Sequence, residues 1–125
     1  MISTSAFRTF SPTTLTRLVY VYLSLALADG PLHDGEREMI CSKVASMERF
    51  PTGEIEALVE QVQQQLMQQT ELDVWTNVRL ACRELCTSES DRQSLLQHLE
   101  DIMESDGRVQ EKEMDMYRRI STLIA

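Results

Sequence analysis

The sequence predicts an all-α protein, folded as a compact single-domain bundle of six to seven helices with two pseudo-symmetric helical hairpins. Apolar residues recur at helical spacing in each long segment, and no segment alternates apolar and polar residues as a half-buried strand would. The chain has 125 residues, which is the length of one domain. A domain of this size buries roughly two thirds of the surface of its unfolded chain, so it needs neither a disulfide nor a metal ion merely to fold.

The N-terminal part divides into an arm and the start of the helical domain. Residues 1–10 are rich in Ser and Thr, and they are expected to form a flexible N-terminal arm. The helical domain is expected to span residues 11–125. Ser11 and Pro12 are typical of the N-cap and the first position of a helix, so a first helix is predicted over residues 12–28.

Two more helices are predicted in the first half of the chain. The second helix covers residues 34–49 and ends at Phe50, because the residue before Pro51 avoids the α-helical region. The third helix covers residues 53–69, with Thr52 as its N-cap. Its apolar residues form a narrow seam, and the Gln and Glu residues on its other faces indicate exposure to solvent.

The second half of the chain predicts three helices. Thr70 and Asp73 resemble a capping box at the start of the fourth helix. The apolar face of this helix includes Leu72 and Trp75. After a break capped by Ser88 or Ser90, the fifth and sixth helices are predicted over residues 90–105 and 111–124.

One pattern, D-G-x-[LV]-x-[DE]-x-E, occurs twice, each time between two apolar helical runs. We call residues 29–36 the first DG corner and residues 106–113 the second DG corner. Each corner joins two helices, and two connecting helices lie between the corners. Two similar hairpins in one small domain can pack so that both corners lie at the same end of the bundle. The matched positions are Asp29 with Asp106, Gly30 with Gly107, Leu32 with Val109, Asp34 with Glu111, and Glu36 with Glu113.

Helix capping explains part of each DG corner. In the first corner, Gly30 ends a helix with a positive φ, and His33 is the N-cap of the next helix. Glu36 then falls at the third helical position, where its carboxylate can reach back to the N-cap amide. Asp29 is not explained in this way, since a carboxylate at the C-terminal end of a helix costs about 0.3–1 kcal/mol through the helix dipole. An Asx-turn is also excluded there, because Pro31 has no N–H to donate.

A cation shared by both corners would explain the acidic residues that helix capping does not explain. A divalent cation would offset the unfavourable dipole term at both corners. A ligand set of carboxylates suits Ca, Mg or Mn, and it suits Zn less well. Asp34 and Glu111 are candidates for residues that contact the ligands rather than the ion itself. The predicted ligands are Asp29, Glu36, Asp106 and Glu113.

The pattern also matches the second half of an EF-hand calcium loop. The first half of that loop is missing, because Leu25 and Leu27 stand where two of its oxygen ligands would be. Neither corner alone is therefore expected to surround calcium. Only a site that both corners share supplies enough oxygen ligands.

With these motifs the chain resembles the TerB family, the tellurite-resistance protein and its TerB-like relatives. The resemblance rests on ALADG followed by Glu36, on MESDG followed by Glu113, and on the helical spacing between them. It covers nearly the whole chain after the first ten residues. The second copy departs from the family pattern at Glu104 and Ser105, where small or apolar residues are usual.

The resemblance implies a compact all-α domain with internal two-fold character and an acidic cluster that binds divalent cations. TerB-like domains are linked to tellurite and other chemical stress, and they often act beside membrane proteins. A similar domain occurs in DnaJ-like co-chaperones. The resemblance therefore implies a role in stress response or metal sensing, with a protein partner that is membrane-associated.

Net charge and cysteine content indicate the compartment and exclude several partners. The net charge is −8 with an isoelectric point near 4.7, so nucleic acid and anionic bilayers would repel the chain. No apolar run is long enough to insert into a membrane. Residues 18–28 imitate a secretory signal, but cleavage there would remove the helix that leads into the first DG corner. Three cysteines without a C-x-x-C spacing favour reduced thiols and a cytoplasmic location.

The histidine count and the motifs of the sequence argue against an enzymatic function. The chain has two histidines, no nucleophile motif and no Gly-rich phosphate loop, so no catalytic site is expected. The alternative to cation binding is a protein–protein interaction domain in which both DG corners are only structural helix caps.

Overall fold

The computed structural model describes residues 12–28, 30–47, 52–105 and 111–125. Six α-helices and no strands are present in these ranges, so the predicted all-α fold is confirmed. The predicted arm over residues 1–10, Ser11, and the predicted stop at Phe50 and Pro51 lie outside the described residues. The helices are α1 Pro12–Ala26, α2 Asp34–Met47, α3 Thr52–Met67, α4 Glu71–Leu85, α5 Glu89–Glu104 and α6 Glu111–Ile124.

The central element of the bundle is α1. It packs against each of the other five helices, while α2 packs against α3 and α5, and α6 packs against α4 and α5. Every residue of α1 from Leu18 to Ala26 is buried. The sequence predicted one apolar stripe on this helix, but a helix that is surrounded on all sides buries residues all round its circumference.

Several helix ends differ from the prediction by one or two residues. The first helix ends at Ala26 because the Ala28 amide donates to the carbonyl of Leu25, three residues back, which tightens the last turn. The same geometry ends α3 at Met67. The start of α6 is at residue 111, as predicted.

The N-caps of α4 and α5 are both confirmed. The Thr70 hydroxyl accepts a hydrogen bond from the Asp73 amide at 3.1 Å, and the Ser88 hydroxyl accepts one from the Asp91 amide at 3.1 Å. Ser88 rather than Ser90 is therefore the cap of α5. One predicted core residue of α4 is wrong, because Leu72 is 74% exposed. The first buried residue of this helix is Val78, so its first turn lies at the edge of the core.

Candidate functional site

The positive φ predicted for Gly30 in the first DG corner is confirmed, but α1 ends at Ala26, so Gly30 does not directly follow the helix as predicted. Gly30 has a φ of +134°, a conformation that side-chain-bearing residues rarely adopt. The Gly30 amide donates to the carbonyl of Leu27 at 3.2 Å, so the chain leaves α1 through a tight turn. Leu32 is half-buried and packs against the core immediately before α2. This contact anchors the turn that carries the chain into α2.

The predicted contact between Glu36 and the N-cap amide of α2 is confirmed. The His33 amide donates to Glu36 Oε1 at 3.3 Å, and the Arg37 amide donates to the carbonyl of His33 at 3.0 Å. His33 is therefore the N-cap, and Glu36 occupies the third helical position. Capping accounts for one of the two carboxylate oxygens of Glu36.

The second oxygen of Glu36 is not explained by the cap. The side chain is 0% exposed, and within the described part of the chain Oε2 has no hydrogen-bond partner. A buried ionised carboxylate without a partner is unfavourable by several kcal/mol, roughly the effective penalty for burying an ion. Oε2 therefore requires a cation, a proton or a donor from outside the described ranges.

The equivalent residue of the second DG corner is also buried. Glu113 lies in the first turn of α6 and is 2% exposed. Asp34 and Glu111, the predicted supporting residues, are exposed at the first positions of α2 and α6. Both repeated glutamates thus lie inside the protein, whereas the acidic residues two positions earlier face solvent.

Half of the predicted ligand set falls on residues that are not described. Asp29 and Asp106 lie outside the described ranges, as do Gly107, Val109 and Gln110 of the second DG corner. Among the residues that are described, no group of three or more His, Cys, Asp or Glu side chains is arranged to hold a metal ion. The convergence of all four carboxylates stays a prediction.

Residues of the first DG corner and residues at the start of α6 border one groove. Gly30, Pro31 and Leu32 line it on one side, and Lys112, Asp115 and Met116 of α6 also line it. The groove has a volume of about 660 Å³. The fold therefore brings the beginning of α6 and the turn of the first DG corner to one surface of the bundle.

A polar cluster that the sequence did not predict lies between α1, α2 and α5. The Tyr22 hydroxyl and His98 Nδ1 are hydrogen-bonded, and both side chains are fully buried. Lys43, which is also buried, donates to Asp101 Oδ2 at 2.7 Å. His98 falls on the apolar stripe of α5 at helical spacing with Leu95 and Leu99, and this position is the sequence signal that could have indicated its burial.

Burial controls the protonation of this polar cluster. It lowers the pKa of His98 to about 3, and the nearby Lys43 ammonium lowers it further while Asp101 opposes the change. Burial also raises the pKa of Tyr22 well above its ordinary value of 10. Burial raises the pKa of Asp101 too, but hydrogen bonds from Lys43 and Gln97 outweigh it and leave that pKa lowered. His98 and Tyr22 are therefore neutral near pH 7.

The three cysteines are free thiols, as predicted. Burial raises the pKa of Cys82 to about 12 and that of Cys86 to about 11. Burial also raises the pKa of Cys41. Since the thiolate is the nucleophilic form, these groups are poor nucleophiles and poor metal ligands near neutral pH.

Comparison of the chain with protein-family models, with curated proteins and with solved structures finds no match. The resemblance to the TerB family therefore stays a prediction from the two DG corners. None of the helices in the described ranges is long and apolar enough to cross a membrane.

Proposed function

We propose that this protein is a divalent-cation-binding module in which Glu36 and Glu113 are ligands together with Asp29 and Asp106. The observation that carries the proposal is the buried Oε2 of Glu36, which has no hydrogen-bond partner among the described residues. A cation bound there would neutralise the buried charge, and it would also offset the dipole cost of an aspartate at the end of the preceding helix.

The repeat supports the proposal at the second DG corner. Glu113 is buried at the position that corresponds to Glu36, although a residue in the first turn of a surface helix has no general reason to be buried. One groove is lined by Gly30, Pro31 and Leu32 of the first corner and by Lys112 of the second, which supports the proximity of the two corners. Carboxylate oxygens favour Ca, Mg or Mn over Zn.

The biological role in this proposal comes from the resemblance alone. A cytoplasmic TerB-like module would act in stress response or metal sensing, with a membrane-associated protein partner and without an enzymatic reaction of its own. The alternative, an interaction domain whose DG corners are only caps, accounts for Oε1 of Glu36 but leaves Oε2 unexplained.

Thermal melting in chelator and in millimolar Ca, Mg, Mn or Zn tests the proposal. A ligand at about 100 times its dissociation constant stabilises a protein by roughly 2.7 kcal/mol, which raises the melting temperature by several degrees. We expect such a gain for the wild type with at least one ion. If no ion raises the melting temperature of the wild type, cation binding is wrong.

Three variants locate the site. Glu36→Gln retains an oxygen that caps α2 and removes the charge. It is therefore expected to lose most of the rise in melting temperature that the ion produces. Glu38→Gln removes a charge from an exposed position of the same helix, and it is expected to retain the gain. Equal gains in Glu36→Gln and wild type would exclude Glu36 as a ligand. The double variant Asp29→Asn with Asp106→Asn is expected to abolish the gain if one site uses both corners.

A further inference from the structure

The groove beside the first DG corner is lined by five separate segments of the chain. The end of α1, the turn at Gly30 to Leu32, the end of α3, the start of α4 and one face of α6 all contribute. Its volume of about 660 Å³ lies within the range of about 300–1,000 Å³ that small-molecule sites occupy. Its apolar lining residues are Leu27, Ala28, Pro31, Leu32, Leu66, Met67, Val74 and Met116.

The apolar lining is open to solvent and adaptable. Met67 lines the groove and is 71% exposed, although large apolar side chains are usually covered in a domain with a closed core. Met116 lines it from α6. Methionine side chains are flexible and polarisable, so they adjust to ligands of different shape. The groove therefore offers a surface that gains free energy when an apolar group covers it.

The charges of the groove are arranged along α6. Lys112, Asp115 and Arg119 lie on the same face of this helix and line the groove. Asp115 is 3.4 Å from the guanidinium of Arg118, which lies outside the groove. Neither Lys112 nor Arg119 forms an ion pair with any residue in the described part of the chain. Among the described residues, neither cation therefore has an acidic partner at this wall.

Arg119 is held in place by an aromatic ring. Its guanidinium carbon lies 4.0 Å from the centre of the Trp75 ring. Stacking uses the face of the guanidinium and leaves its N–H edges available, which is the geometry that binds a carboxylate through two hydrogen bonds. The one other acidic lining residue, Glu71, lies in the first turn of α4, where the helix dipole stabilises its charge.

We propose that this groove binds a small amphipathic carboxylate, with the carboxylate on Lys112 and Arg119 and the apolar chain against the leucine and methionine lining. A net charge of −8 repels anions from most of the protein surface. Lys112 and Arg119, which have no acidic partner among the described residues, therefore favour an anionic ligand at this groove. A free molecule is favoured over an anionic bilayer, since the whole protein would be repelled by the membrane surface.

Calorimetric titration with decanoate below its micellar concentration tests the proposal on the full chain. Chelator is present throughout, so the result is independent of the cation site. Decanol and decyltrimethylammonium have the same chain length with a neutral and a cationic head group. We expect saturable 1:1 binding of decanoate and weaker binding of both comparison compounds. Absence of saturable decanoate binding, or equal binding of decyltrimethylammonium, overturns the proposal.

Charge variants test the carboxylate site. The double variant Lys112→Gln with Arg119→Gln is expected to weaken decanoate binding by about tenfold or more, the loss for charge-assisted hydrogen bonds. Arg118→Gln removes a charge from the same helix outside the groove, and it is expected to bind within about twofold of wild type. An equal loss in Arg118→Gln would show only a general effect of net charge, and the assignment would be wrong.

Two tryptophan substitutions test the apolar part of the site. Val74→Trp places a large side chain in the groove, whereas Leu80→Trp places the same side chain on an exposed position of α4. Val74→Trp is expected to abolish binding, and Leu80→Trp to retain it, with the helix content of both checked by circular dichroism. Retained binding in folded Val74→Trp, or loss in folded Leu80→Trp, would place the ligand elsewhere.

Discussion

Glu36 and His98 are the polar side chains whose burial most affects the properties of this protein. Glu36 was selected from the sequence because its position in the capping box is a local relation between residues three apart. The structure further shows that the side chain of Glu36 is buried and that its second carboxylate oxygen is removed from water. His98 lies on the apolar stripe of α5, which is a local signal, but its partner Tyr22 lies on α1, far away in the sequence, and no local pattern predicts that contact.

The two functions of Glu36 can be separated by substitution in the absence of added metal. In chelator, Glu36→Gln keeps the cap and removes a buried charge, so its free energy of unfolding is expected to equal or exceed that of wild type. Glu36→Ala loses the cap and leaves a cavity, and it is expected to be less stable than Glu36→Gln by at least about 1 kcal/mol. Urea unfolding measures both values. A Glu36→Gln variant as unstable as Glu36→Ala would show that the charge itself stabilises the fold.

The depressed pKa of His98 makes stability depend on pH. The imidazole is neutral in the folded state down to pH values near 3, whereas it binds a proton near pH 6.5 in the unfolded chain. Protonation therefore favours the unfolded state, and the stability present above pH 6.5 is lost as the pH falls toward 3. Between pH 6.5 and 4.5 the free energy of unfolding is expected to fall about 2 kcal/mol more in wild type than in His98→Gln.

Urea unfolding at several pH values measures this difference. His33→Gln is the matched control, because His33 is exposed and uses its backbone amide for capping. It is expected to keep the wild-type pH dependence. If His98→Gln and wild type show parallel curves, the neutral buried state of His98 is wrong.

Thr70 caps α4 as predicted, and Ser88, one of the two candidates in the sequence, caps α5. Thr52, the predicted N-cap of α3, is instead the first residue of that helix. Both α1 and α3 end two residues before the ends that apolar periodicity predicts. A helix ends where an amide bonds to the carbonyl three residues back instead of the one four residues back. The spacing of apolar residues does not show where this change occurs. Leu27 and Ala28 therefore continue the apolar run of α1 but lie in the turn that follows it.

The cap of α4 is expected to contribute measurably to stability. Thr70→Ala removes the acceptor for the Asp73 amide and is expected to lower the free energy of unfolding by about 1 kcal/mol. Thr70→Ser keeps a hydroxyl and is expected to lie within about 0.5 kcal/mol of wild type. Urea unfolding distinguishes the two variants. Equal loss in both would assign the effect to the methyl group of Thr70 rather than to the cap.

The bundle as a whole depends on α1, because every other helix packs against it. From Leu18 to Ala26, α1 has no solvent-exposed face on which substitutions are neutral. Arg17 is the one charged residue of α1, and the other charged residues that the structure describes lie on the five outer helices.

Truncation of a central side chain of α1 is expected to destabilise the whole domain. Leu23→Ala removes a fully buried side chain and is expected to cost about 2–5 kcal/mol. Leu123→Ala makes the same change on the outer surface of α6, at a residue that is 38% exposed, and it is expected to cost less than about 1 kcal/mol. Fluorescence of Trp75 and circular dichroism should report one common transition for Leu23→Ala. Separate transitions would show that α1 does not couple the helices.

The sequence by itself determined the helices, the positive φ of Gly30, the caps of α2 and α4, and the residues of the first DG corner worth testing. Each of these depends on residues within about four positions of one another, so local physical chemistry specifies them. Only the tertiary structure decided that α1 is surrounded, that His98 contacts Tyr22 in the core, that Leu72 is exposed, and that α6 and the first DG corner border one groove. Those properties depend on which distant segments cover a side chain, and that is a matter of packing between helices rather than of any local pattern.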